Sequence, residues 1–198
     1  MAPQIGELIE RIRKLEGELE MELATRREEL RFSLINRKVL FEQEILAQHR
    51  QLKTGLLRYL LQARLRNLVT APIIYAMFFP LLLLDACVTV YQFVCFPLYG
   101  IPKVRRRDYL IFDRHNLAYL NLFEKINCSY CSYGNGLLSY VKEVVARTEQ
   151  YWCPIKHAQR LLQAHSRYSH FIDFGDAEAY RRELEKVRCE FNRNGGNK

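Results

Sequence analysis

Three cysteines and one histidine have the spacing with the most chemical content. Cys128 and Cys131 form a CxxC pair, and Cys153 and His157 follow in the pattern C-x2-C-x21-C-x3-H. Three thiolates and one imidazole make up a closed tetrahedral zinc set. Four protein ligands leave no open position for a substrate water, so the chemistry expected here is structural. The same ligands could hold iron or an iron–sulfur cluster. A Cys128–Cys131 disulfide and simple packing of all four residues are the remaining alternatives. A haem attachment site is excluded, because Ser132 rather than histidine follows Cys131. Glu149 lies one helical turn before Cys153. It is a candidate second-shell partner of His157 or a substitute ligand, with a surface ion pair as the plainer role. Reduced thiols place this module in the cytosol.

These residues need elements to position them. Gly134 and Gly136 follow the CxxC pair and suggest the backbone reversal of a metal knuckle. Cys153 and His157 would share a helix face if a helix begins near Pro154. Asp113 is a candidate cap for a helix over about 114–126, leaving Asp113, His115 and Glu124 in capping or surface roles. A helical pattern resumes after His157 and stops at Gly175. Asp176 starts another helix that runs to about Phe191, and 192–198 reads as a tail.

Upstream, residues 71–99 carry one charge, Asp85, in 29 positions. About 20 helical residues suffice to cross a bilayer core. Two topologies fit: a single kinked span of about 25 residues, bent at Pro80, or a re-entrant hairpin turning around 80–86. Asp85 is costly in hydrocarbon and should face protein, face water or be protonated. Tyr75, Tyr91 and Tyr99 suit interfacial positions, and Cys87 and Cys95 read as small apolar residues. Basic residues flank the block on both sides. Lys53, Arg58, Arg64 and Arg66 precede it with no acid over 51–70, on a leucine-rich amphipathic segment. Lys103, Arg105, Arg106 and Arg107 follow it. Both sets are candidates for anionic headgroups. Cations at both ends leave the orientation undecided.

Residues 1–50 are nearly neutral, with nine basic and ten acidic side chains. Leu8, Leu19, Leu30, Phe41 and Leu52 recur every eleven residues, and Ile12, Leu23, Leu34, Ile45 and Leu56 repeat the series four positions later. Eleven residues over three turns fits a long helix with slight right-handed supercoiling. No proline intervenes between Gln4 and Ala71, so one helix is expected from about 4 to about 68. Its stripe asks for a partner, most simply a second copy through residues 5–56. The balance of charge argues against nucleic acid. Across the whole chain, net charge is +8, 49% of residues are hydrophobic and mean hydropathy is −0.21. Those values exclude a disordered chain and a multi-pass membrane protein.

From Asp108 to about Arg182 the chain resembles a family of uncharacterised bacterial membrane proteins. The residues that carry this are Asp113-Arg114-His115, Leu117–Asn121, the CxYCxYGNG stretch at 128–136, the block 146–157 ending EQYWCPIKH, and 176–180. The resemblance implies a bacterial inner-membrane protein and no particular chemistry. The expected fold is mainly α: a coiled-coil-like helix over 1–52, a basic membrane-surface helix over 53–70, a membrane segment over 71–99 and a helical metal module over 103–191. The expected function is a membrane-anchored scaffold with a structural zinc and a protein partner. A membrane-bound metalloenzyme or redox protein is the alternative.

Overall fold

The computed structural model describes residues 3–30, 32–35, 38–55, 65–159 and 161–192. The chain is mainly helical and divides into two compact units. One comprises Met1–Gln62 with Asp113–Ile126, the other Ala63–Phe112 with Asn127–Lys198. The expected module over 103–191 is therefore not self-contained, because most of it shares a core with the apolar helix before it.

In the first unit, helix α1 spans Pro3–Glu29. Arg26 and Arg27 lie in its last turn, where cations favour the carbonyl end of the helix. The expected helix to residue 68 ends here. Beyond Leu30 the apolar residues alternate instead, and strands β1 (Phe32–Ile35) and β2 (Lys38–Phe41) pair antiparallel. Phe32 pairs with Phe41 and Leu34 with Val39, and the Phe32 and Phe41 rings lie 5.5 Å apart across the hairpin. Leu34 and Phe41 fit the eleven-residue series, yet they belong to a period of two. Helix α2 (Gln43–Gln51) follows, and Lys53–Gly55 are not helical. The His49 ring stands edge-on to Phe41 at 5.4 Å and to Tyr119 at 5.2 Å. Of the helix expected over 114–126, residues 114–121 form only a 3-10 turn, Arg114–Asn116. The helix starts later, at Leu122, behind a reciprocal cap. The Glu124 N–H donates to Asn121 Oδ1 at 3.0 Å, and the Asn121 N–H donates to Glu124 Oε2 at 2.8 Å.

The second unit is built on the apolar block. Helix α3 (Leu65–Ala76) and helix α4 (Phe78–Leu98) are separated only at Met77, and together they form one apolar helical stretch, Leu65–Leu98. The re-entrant turn expected at 80–86 does not form. Pro80 sits in the first turn of α4, where its missing N–H costs nothing. The break falls three residues earlier than the proline. There the Ile74 carbonyl accepts from the Met77 N–H at 3.3 Å and from the Tyr130 hydroxyl at 2.6 Å.

Helix α4 ends in a Schellman turn. Gly100 adopts φ +66°, its N–H donates to the Pro97 carbonyl at 3.3 Å, and the Ile101 N–H donates to the Phe96 carbonyl at 2.8 Å. Ile101 and Phe96 are both buried in the core. This turn sends residues 101–110 back along α4: Val104 reaches Gln92, and Arg106 reaches Asp85.

Helix α5 (Leu122–Trp152) then runs beside α4 in the same direction. The contacts rise together along both helices. Tyr75 meets Tyr130, Phe78 meets Tyr133, Gln92 meets Tyr140 and Tyr99 meets Tyr151. Leu137, Tyr140 and Val144 of α5 close the core with Phe96, Ile101, Val104 and Phe191. Gly134 and Gly136 lie inside α5 and reverse nothing. Gly136 is needed for a different reason. A Cβ there would lie 2.7 Å from the Tyr109 carbonyl oxygen and 3.1 Å from Leu110 Cα, so the return segment packs directly on the helix backbone.

After α5 the chain is irregular rather than helical. A parallel bridge joins Ile155 to Ile172, and the only regular piece in the segment 161–172 is a 3-10 turn at Tyr168–His170. Gly175 takes φ +86°. Asp176 caps helix α6 (Ala177–Cys189), its carboxylate accepting from the Ala179 N–H at 2.8 Å.

Gly136→Ala should lower the melting temperature, because forcing a methyl against backbone costs about 1–3 kcal/mol. Gly134→Ala meets only Leu81 Cδ1 at 3.5 Å and should gain helix propensity at no steric cost. Thermal unfolding of both in detergent decides this. A Gly136→Ala melting point at or above that of Gly134→Ala would refute the close approach.

Candidate functional site

The proposed metal ligands do not converge. Cys128 and Cys131 lie on α5, and Cys153 follows its last residue, with its N–H still donating to the Glu149 carbonyl at 2.8 Å. The helix is continuous between them. Twenty-two residues at 1.5 Å each separate Cys131 from Cys153 by about 33 Å. No helix starts near Pro154 to bring Cys153 and His157 onto one face. Among the described residues, no group of three or more His, Cys, Asp and Glu side chains is placed to hold a metal ion. Glu149 bonds His165 Nε2 at 3.0 Å rather than His157. His157 stacks on Tyr168, whose hydroxyl accepts from the His157 N–H at 2.6 Å. Partial burial, and then the Glu149 carboxylate, push the Cys153 thiol above its ordinary pKa.

Helix α4 holds the more informative arrangement. It buries its one charge and its amide, while many of its large apolar side chains are exposed. Asp85 and Gln92 are buried, at 6% and 9% exposure. Phe79, Leu83, Val90 and Phe93 are each more than 60% exposed. A surface helix of a water-soluble fold has the opposite polarity. Asp85 is held by three groups. Arg106 of the return segment donates to Oδ2, the Tyr133 hydroxyl of α5 donates to the same oxygen at 2.8 Å, and Thr89 donates to Oδ1 at 3.5 Å. Two turns further on, Gln92 Oε1 accepts from the Val104 N–H at 2.7 Å, and Gln92 Nε2 donates to the Tyr140 hydroxyl at 3.0 Å. The buried polar groups of the apolar helix are thus satisfied within the unit, and its exposed surface is mostly carbon.

The candidate membrane-surface cations divide. Arg106 is committed to Asp85. Lys103 lies 4.6 Å from the centroid of the exposed Phe93 ring, at the flank of the apolar face. Arg66, Arg105 and Arg107 are exposed, as is Lys53 in the first unit. Arg58 and Arg64 fall outside the described residues. Tyr75 donates to Asn127, Tyr91 bonds Thr148 at 2.9 Å, and Tyr99 packs on Tyr151 and Trp152.

One polar cluster escaped the sequence reading. Glu143 Oε1 accepts from Arg147 Nε at 2.9 Å and Arg167 Nε at 3.1 Å. Arg167 also donates to Gln150 Oε1 at 2.8 Å, and Gln150 Nε2 donates to the Val187 carbonyl at 2.9 Å. This network ties the end of α5 to the irregular segment and to α6. Its only sequence signal is Glu143 and Arg147 four apart on a helix. Arg167 is brought in by the tertiary fold. The network holds no open, unpaired group and reads as structural.

No family model, curated protein or solved structure matches the chain.

Two predictions follow from the Asp85 cluster. Asp85 is 8% exposed at its side chain and Arg106 45%. Arg106→Leu strands a buried carboxylate, whereas Asp85→Leu leaves a cation that reaches solvent. Arg106→Leu should therefore be the costlier change, by up to about 3 kcal/mol, in paired denaturant titrations; equal losses would argue against the assignment. Burial, and then the hydrogen bond and charge of Asp85, push the Tyr133 hydroxyl from 10.0 up to about 12. The folded state then holds this proton more tightly than the unfolded one. Its contribution is complete below pH 10 and is lost as pH rises toward 12. Tyr133→Phe should show a smaller alkaline loss of stability than the parent over that interval.

Proposed function

We propose that this protein is a membrane-bound interaction protein with no catalytic centre of its own. The apolar face of α3 and α4 sits in lipid, and the polar side of the second unit carries the surface offered to other proteins. One observation supports this above the rest: α4 buries Asp85 and Gln92 while Phe79, Leu83, Val90 and Phe93 are exposed. The stretch Leu65–Leu98 is long and apolar enough to cross a membrane. The cations beside it suit anionic headgroups. In the first unit, Ile12, Leu15, Leu19 and Leu23 form an exposed apolar stripe along α1, which suits packing against a second copy. The six cysteines are free, as a reducing compartment would keep them; the bacterial inner membrane with a cytosolic C-terminal part is the location that fits.

The alternative, a metalloenzyme or redox protein using Cys128, Cys131, Cys153 and His157 around zinc, iron or an iron–sulfur cluster, needs a site that a continuous helix between Cys131 and Cys153 keeps apart. One tightly held metal ion per purified chain would revive it.

Vesicle flotation tests the main reading. The parent protein should float with phosphatidylcholine vesicles containing phosphatidylglycerol. A variant with Phe79→Gln, Leu83→Gln, Val90→Gln and Phe93→Gln should stay at the bottom of the gradient with unchanged helical circular dichroism. A parent protein that stays at the bottom would overturn the proposal.

A further inference from the structure

We infer that the apolar helix lies along one leaflet of an anionic bilayer and does not cross it. This inference rests on the membrane reading above and says how that membrane is engaged. Length and composition alone would let Leu65–Leu98 span. The contacts of the second unit argue against that orientation.

Helices α4 and α5 are neighbours that run in the same direction. Tyr75 lies by Asn127 and Tyr130 at one end, and Tyr99 lies by Tyr151 and Trp152 at the other. Residues 75 and 99 are 24 positions apart, about 36 Å along a helix axis. The chain therefore has to travel back over that length between Leu98 and the start of α5. It does so without a helix of its own. Within this unit, from residue 99 to 112, the backbone makes only one 3-10 turn, Arg106–Asp108. The stretch contains Lys103, Arg105, Arg106, Arg107 and Asp108. If α4 stood across the bilayer, this irregular and charged segment would have to recross it. Lipid-exposed irregular backbone does not occur in hydrocarbon, because its N–H and C=O groups find no partners there.

The position of each charge says the same. Arg106 meets Asp85, 13 residues before Leu98 and so about 20 Å from the end of α4. Lys103 meets Phe93, about 12 Å further along. Arg105 and Arg107 are exposed. Cations are therefore spread along the helix rather than gathered beyond its ends. A helix in the plane of the interface has this arrangement, with carbon on the lipid side and cations along the flank at the depth of the phosphates. The outward residues, Phe79, Leu83, Val90, Phe93 and Val94, supply the carbon.

Site-directed spin labelling tests this. Single cysteines replace Phe79, Leu83, Val90 and Val94 in turn, in a chain whose six native cysteines are serine. Each labelled protein is bound to phosphatidylcholine vesicles containing phosphatidylglycerol, and depth is read from relaxation by oxygen and by a water-soluble nickel chelate. The inference expects all four labels at a similar shallow depth, within one leaflet. A depth that rises to the bilayer midplane and falls again along the series would overturn it while leaving the membrane reading intact. Four labels shielded from both reagents, with spin–spin broadening, would assign the face to a second copy of the chain and overturn it as well. Failure of the protein to float would instead remove the membrane reading beneath it.

Discussion

A single carboxylate governs the second unit. Asp85 stands in an otherwise apolar helix, and exposing it to hydrocarbon would cost about 3 kcal/mol or more. Its cation comes from Arg106, 21 residues later and beyond the end of that helix. The meeting requires the chain to reverse at once after Leu98, which the left-handed Gly100 allows. It requires a path back along the helix, which Gln92 fixes by holding the Val104 N–H. It also requires α5 to admit the returning backbone, which it does at Gly136. Each of these features looks ordinary alone; together they explain why a segment of return chain lies between two parallel helices.

The inverted polarity of α4 follows from the same pairing. With Asp85 and Gln92 turned toward the return segment, the outer face is left mostly to carbon. The result is a unit whose longest apolar stretch lies on one flank. The Glu143, Arg147, Arg167 and Gln150 network secures the other end, where α5 gives way to irregular chain and α6. Rigid support for the apolar flank thus comes from ion pairs and amide contacts, together with a modest core around Phe96, Leu137 and Tyr140.

Several features were legible from residue types. The apolar block, the need to shield Asp85 and the Asp176 cap all rest on local chemistry that tertiary packing did not override, whereas the helix that Gly175 was expected to stop does not form. The eleven-residue repeat misled beyond Leu30. Phe41 and Leu34 satisfy that period by coincidence, while Phe32, Leu34, Val39 and Phe41 satisfy a period of two across a short connection. The cysteine spacing misled for a related reason. A ligand pattern records distance along the chain, and the chain between Cys131 and Cys153 is one continuous helix, which converts that distance into length rather than a loop. Tyr133, Leu137, Tyr140 and Val144 mark one face of that helix, a stripe that runs through both glycines and was the better guide.

What the residues alone determined is that a carbon-rich helix with one acid must exist here, flanked by cations, because burial and charge costs are local. The direction in which α5 runs beside it, the choice of Arg106 over its neighbours as the partner of Asp85, and the separation of the thiols were decided only in three dimensions. Each depends on where a returning chain lies, and chain return is set by the sum of many weak contacts rather than by any short stretch of sequence.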